Sequence, residues 1–280
     1  MTEYTVKAAS EGGHWYTRGA ELIDQVEGKT TGRMRRPTVK DARANQWLPG
    51  VTTIIKQAAA PWLMRWTNKE HVRAAVQLGP PADEDADLYF RRVTELAGAI
   101  GRDAADVGSR IHGEIQAYIT QRIITATAAG IMQTVADAVR LLWEKPRNEF
   151  PKLDFDWRSE DPVKHWLGYA TKADCWSPAQ SGVLVDFKGK KSAAQFPTSL
   201  YDEHLMQLAA TRSAIEHTHG KTVGDCAIVF FSRQPEEAGQ CAVVWASDDQ
   251  ISRGRKLFDA MLTYWKVKNS YDSSWDPEQG

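Results

Sequence analysis

The stretch Gly168-Tyr169-Ala170-Thr171-Lys172-Ala173-Asp174, followed after Ser177-Pro178 by Gly182-Val183-Leu184-Val185-Asp186-Phe187-Lys188, decides how the chain is read. Alternate residues of an extended strand share a face. Val183, Val185 and Phe187 therefore make an apolar face, while Asp186 and Lys188 point together to the other side. Asp174 and Asp186 are equidistant from Gln180, so a hairpin centred there sets the two carboxylates opposite or nearly opposite each other, about 5 Å apart. Facing carboxylates repel unless a proton or a cation lies between them. With an ammonium two residues on, the arrangement suits a hard divalent cation and a water held beside it. An isolated Asp–x–Lys on a strand is a common surface pair, and the facing Asp174 is what raises it above that.

Outward from this hairpin the period stays alternating. Strands are expected at about 153–160, 165–176, 182–188, 224–232 and 240–246, with amphipathic helices at about 200–217 and 249–268. The second helix buries Ile251, Leu257, Phe258, Met261, Leu262 and Trp265. Upstream the period is helical. A stripe of Trp62, Leu63 and Trp66 runs towards Val72 and ends at Gly79-Pro80-Pro81. The acidic run from Asp83 to Asp87 opens the next helix, Val107, Ile111, Ile115, Tyr118 and Ile119 line another, and a fourth spans about Ile131 to Lys145 and stops at Pro146. The expected architecture is α/β (α+β): a mixed central sheet flanked by helices, in the order β-β-β-α-β-β-α. Residues 151–280 form this core, 51–150 a helical part and 1–50 an irregular basic segment, joined in one compact unit. Thr38 and Asp41 are spaced as a capping box within that first segment.

Composition narrows the function classes. With 42% hydrophobic residues the chain can bury a sizeable core. Lys plus Arg (35) nearly balances Asp plus Glu (36), which excludes a charge-driven binder but not a local basic groove. Cys175, Cys226 and Cys241 are odd in number and far apart, so neither a disulfide scaffold nor a paired-cysteine metal site is expected. No apolar run approaches the roughly 20 residues of a membrane helix, and the N-terminus lacks a signal-peptide pattern. A soluble, intracellular protein with no membrane contact follows. There is no Walker-type or dinucleotide-type glycine loop, so no nucleotide cofactor is expected.

Asp174 with Val185-Asp186-Phe187-Lys188 resembles the bipartite motif of the PD-(D/E)XK nuclease superfamily, and further segments resemble its branch containing the RecB nuclease domain and phage exonucleases. Gly108-Ser109-Arg110-Ile111-His112 is similar to that branch's glycine-to-histidine motif, and Leu205-Met206-Gln207-Leu208 to its downstream helix motif. Leu48-Pro49-Gly50-Val51-Thr52-Thr53-Ile54-Ile55, with His14-Trp15-Tyr16 and Asp41-Ala42-Arg43 before it, looks like the N-terminal half of phage members. The pieces run in order from about residue 14 to 246. Three positions depart from the pattern: Asp186 replaces the usual Glu, Thr211 stands where a Tyr often follows the Gln, and Gln116 where an acid often follows the His. The cysteine quartet of iron–sulfur relatives is absent, so no iron–sulfur cluster is expected.

The resemblance implies a restriction-endonuclease-like core and a Mg²⁺- or Mn²⁺-dependent deoxyribonuclease. It implies His112, Asp174, Asp186 and the backbone carbonyl of Phe187 as metal ligands, Lys188 as the group that orients and helps deprotonate water, and Gln207 as a positioning group. Phage members suggest an exonuclease on linear DNA ends, a single-strand annealing protein as partner, and the cytoplasm of a bacterial host. An endonuclease, or a catalytically idle DNA-binding protein of the same fold, are the alternatives. His112 lies about 90° from the centre of its helix's apolar stripe, at the border of a cleft, and Glu114 about 160° further round. Lys172, Lys190, Lys191, Arg35 and Arg36 are candidate phosphate contacts. Glu160, just before Asp161-Pro162, reads as a solvent-facing residue, with projection from the first strand towards the site as the alternative. Trp166 and Trp176 read as either core or stacking surfaces for bases.

Overall fold

On the strand β8 (Val183–Lys190), Val183, Val185 and Phe187 turn to one side and Leu184 to the other, and this alternation gives the protein two cores. A computed structural model describes residues 14–28, 32–58, 61–81, 85–143 and 156–276. Its central sheet has five strands in the order β10-β9-β8-β7-β6, with β6 Arg158–His165, β7 Tyr169–Ser177, β9 Asp225–Ser232 and β10 Cys241–Ala246. All neighbouring pairs are antiparallel except β8 and β9. A parallel pair needs a crossover, supplied here by the helix α6 (Asp202–His219). The expected order β-β-β-α-β-β-α is the observed one, closed by the helix α7 (Asp248–Lys268).

Helices α6 and α7 cover one face with Leu208, Ala210, Ile215, Phe258 and Trp265. The other face is covered by Ile111, Ile115 and Ile119 of α4 (Ala86–Gln121) and by Ile131 and Val135 of α5 (Ala126–Leu142). Upstream, α1 (Val39–Asn45) opens with the Thr38–Asp41 capping box. The two-residue strands β1 (Trp15–Tyr16) and β5 (Leu48–Pro49) pair beside β7, linked to it by a parallel bridge from Gly50 to Ala170. The short strands β2 (Leu22–Ile23), β3 (Val26–Glu27) and β4 (Met34–Arg35) lie between them in the chain, and the short helix α2 (Val51–Ile55) follows. The helix α3 (Pro61–Leu78) packs on the first half of α4 through Ala74, Val93 and Ala97.

Two boundaries differ from expectation. Residues 86–121 form one helix of 36 residues, not two, because no proline interrupts it. Asp85 caps its start, accepting from the amides of Asp87 and Leu88, and left-handed Arg122 ends it. The first core strand runs on to His165, through Pro162, which a strand at the edge of the sheet tolerates. The expected positions 153–155, Asp83, Lys29 and Pro146 lie outside the described residues, as do the side chains of Trp62, Leu63 and Trp66.

Where α6 and α7 cross, Gly254 lies so near the partner helix that an added Cβ would stand 2.3 Å from the carbonyl oxygen of Leu205. A glycine-to-alanine change inside a helix normally helps by about 1 kcal/mol. Here the backbone contact reverses the sign. Gly254→Ala is expected to lower unfolding stability by about 1–3 kcal/mol, measured by denaturant melts. Leu205 is two residues from Gln207 on the same helix.

Candidate active site

The three acidic residues of the site come from one row across the sheet. β6 pairs with β7 from Arg158–Trp176 to His165–Tyr169, and the one pair missing from that register is Glu160 with Asp174. β7 pairs with β8 up to Cys175–Val185, so Asp174 and Asp186 occupy the next rung, as the hairpin centred on Gln180 requires. Both ladders thus open at Asp174. Glu160 there takes a left-handed backbone (φ 53°), an uncommon conformation for a non-glycine residue. Side-chain alternation slips at the same point. Ala173 and Trp176 both face the α6 core although three residues apart, while Cys175 faces the other. Local ladder breaks of this kind re-aim side chains.

The result is a trio. Ligand atoms of His112, Glu160 and Asp174 all lie within 4.8 Å of one another. His112 comes from α4, and its Nδ1 is 3.5 Å from Asp174 Oδ2. Edge contacts with Phe187 and Phe231 hold its ring. Asp174 Oδ2 also accepts from the amide of Phe187 at 3.0 Å. Asp186 takes a separate place: buried, it receives the amide of Gln207 on Oδ1 at 2.6 Å and the Lys188 ammonium against Oδ2 at 2.5 Å. His112, Glu160, Asp174, Phe187 and Lys188 line one open cavity of about 550 Å³, with Gly108, Ser109, Gly113, Gln116 and Gly189.

Charge in this cavity is strained. Burial, then the charge of Asp186, pushes the Asp174 carboxyl well above the usual carboxylate range. Burial, with Lys188 adding to it, holds the His112 imidazole below its ordinary value despite the acids nearby, so the ring is neutral at pH 7. At Lys188 burial acts downward, but Asp186 and Asp174 outweigh it, and the ammonium is held above its usual value. A neutral imidazole and two crowded carboxylates are a donor set that fits a divalent cation, which would offset the repulsion.

Of the four expected ligands, His112 and Asp174 belong to the observed trio. Glu160, expected to face solvent rather than the site, is the third member, while Asp186 is turned to Lys188 and Gln207 and the Phe187 backbone adjoins the trio with its amide donating to Asp174. Of the candidate phosphate contacts, Lys172 is bound to Glu160 Oε2 at 2.6 Å. Arg35 is held by both oxygens of Asp41, at 2.7 and 2.8 Å. Lys190 sits over the Phe230 ring at 5.0 Å, while Lys191 and Arg36 are exposed. Glu114 faces away, bound by Arg110 and Thr125. Trp176 belongs to the core, donating to Asp161 at 2.7 Å, so it offers no stacking surface. Trp166, half exposed, lies in the turn between β6 and β7 beside His165.

No family model matches the chain, and no curated protein matches it. Among solved structures, one from Eubacterium rectale, provisionally named an exonuclease, overlaps 60% of this chain and 68% of its own at 15% identity, with a TM-score of 0.37. A second, designated SSO0001, overlaps 47% of this chain and 63% of its own at 14% identity, with a TM-score of 0.24. At these scores the likeness assigns nothing to the chain. Among the described residues no helix is long and apolar enough to cross a membrane.

Proposed function

We propose that the protein is a metal-dependent nuclease of the PD-(D/E)XK type that hydrolyses phosphodiester bonds in DNA, most simply as an exonuclease on linear ends. The observation that carries this reading is the trio His112, Glu160 and Asp174 sharing a cavity with Lys188. The three side chains would hold a Mg²⁺ or Mn²⁺ ion, which supplies Lewis acidity at a phosphoryl oxygen when bound. Lys188 places a positive charge where the phosphate gains negative charge in the transition state, and its ammonium orients the attacking water. Asp186 and Gln207 fix that lysine in position: Asp186 holds the ammonium, and the Gln207 amide holds Asp186. The neutral ring of His112 ligates without a proton having to leave first. A phage-type recombination setting, with an annealing protein as partner, belongs to the same proposal through the sequence resemblance.

The test is incubation of the purified protein with linear and with closed circular DNA, with Mg²⁺ or Mn²⁺ and then with EDTA. Degradation of the linear form alone, abolished by EDTA, is expected. Nicking of the circle would make the protein an endonuclease, and two intact substrates under all conditions would sink the nuclease reading.

A further inference from the structure

Two glycines beside His112 have no structural reason to be glycine. On a helix, residues three and four apart stand side by side, and the next residue lies about 100° round. His112 thus has Gly108, Ser109 and Gln116 at i−4, i−3 and i+4 and Gly113 at i+1, while Ile115 at i+3 turns into the core. Gly108, Ser109, Gly113 and Gln116 all line the cavity. Glycine inside a helix is destabilising relative to alanine, so its presence calls for a compensating cause. Close packing is one such cause: at Gly189, on the opposite wall, an added Cβ would meet Arg233 and Phe231 at 3.0 and 3.2 Å. At Gly108 and Gly113 an added Cβ would meet nothing within 4 Å among the described residues. A left-handed backbone is the other cause, and it accounts for the similarly open Gly79 and Gly220 (φ 75° and 61°). Gly108 and Gly113 lie within the regular helix α4 and have neither. The space they leave opens into the cavity that holds His112, Glu160, Asp174 and Lys188.

We infer that Gly108 and Gly113 are positioning residues: their missing side chains let the sugar–phosphate backbone of a nucleic-acid strand lie directly against α4 on both sides of His112. This rests on the nuclease reading and adds the surface on which the scissile strand is seated. A methyl group at either position would lift the strand away from the ligating ring, while leaving the fold and the trio untouched. The effect is then opposite in sign for stability and for substrate.

Gly108→Ala and Gly113→Ala are each expected to raise the melting temperature by about 2–4 °C. The same variants should weaken DNA binding in Ca²⁺ at least tenfold and lower kcat/KM with Mn²⁺ by a similar factor, carried mainly by KM. Gly108→Val should lose more than Gly108→Ala. The melting shift produced by Mn²⁺ alone should match that of the wild type. Unchanged DNA affinity and KM in the alanine variants, beside a wild type that cuts, would overturn the inference and leave the nuclease reading standing. So would a lower melting temperature, which would mean the glycines serve packing. A wild type that neither binds nor cuts DNA would overturn both.

Discussion

Lys188→Met is expected to slow DNA cleavage at saturating substrate by a factor of about 10³ or more, with KM changed far less. Among the described residues that line the cavity, Lys188 is the one lysine or arginine. Its ammonium is fixed by Asp186, so on the proposed function it would meet a phosphate without reorganising. Arginine keeps the charge but not the compact ammonium, and Lys188→Arg should not restore the rate. The methionine variant also leaves Asp186 buried with Gln207 as its remaining hydrogen-bond partner. That loss should destabilise the protein by about 2 kcal/mol. Pairing the change with Asp186→Asn should return much of the stability and none of the activity. A single-turnover assay decides the matter, and a Lys188→Met protein retaining a tenth of the wild-type rate would remove Lys188 from the chemistry.

The second large effect is at Asp174, where stability and activity should move in opposite directions. The folded protein holds this carboxyl protonated to higher pH than the unfolded chain does, because burial and Asp186 both disfavour its charge. Above about pH 4 the unfolded chain releases the proton while the folded state keeps it. The folded state then binds more protons, and in metal-free buffer stability falls as pH rises from there towards the raised value. Asp174→Asn removes this slope and should make the metal-free protein about 1–2 kcal/mol more stable at neutral pH. Mn²⁺ should raise the melting temperature of the wild type, through binding to the folded state alone, and leave the asparagine variant almost unmoved. Cleavage by the variant should fall at least 10³-fold. Glu160→Gln should likewise reduce both the Mn²⁺ shift and cleavage. An unaltered Mn²⁺ shift in Asp174→Asn would take the ion away from the trio.

Much of this was legible in the sequence. The pairing of Asp174 with Asp186 follows from counting outward from Gln180, because strand register is discrete and the turn anchors it. The apolar side of β8, the helix that carries Gln207, and the border position of His112 follow from periodicity in the same way. Glu160 was legible only as the weaker of two alternatives, because alternation assumes a regular strand and the site is where regularity stops. The left-handed backbone at Glu160 has no glycine or asparagine to announce it. A hint was available in Pro162, two residues on, which marks an edge strand free to twist. The role of Asp186 as the holder of Lys188 depends on side-chain competition between two acids for one cation, which no spacing rule resolves. The continuous α4 divides into two in the sequence reading because its two halves pack on different partners: Val93 and Ala97 meet α3, while Ile111, Ile115 and Ile119 meet the sheet.

The ligand trio draws one member from a long helix, one from a strand's twist and one from the neighbouring strand, with many residues of chain between the first and the others. An unfolded or half-assembled chain keeps these groups apart and has little to offer a cation. A bound ion would therefore act as a clasp that closes only on the finished tertiary structure, so that competence to cut and completion of folding become a single event.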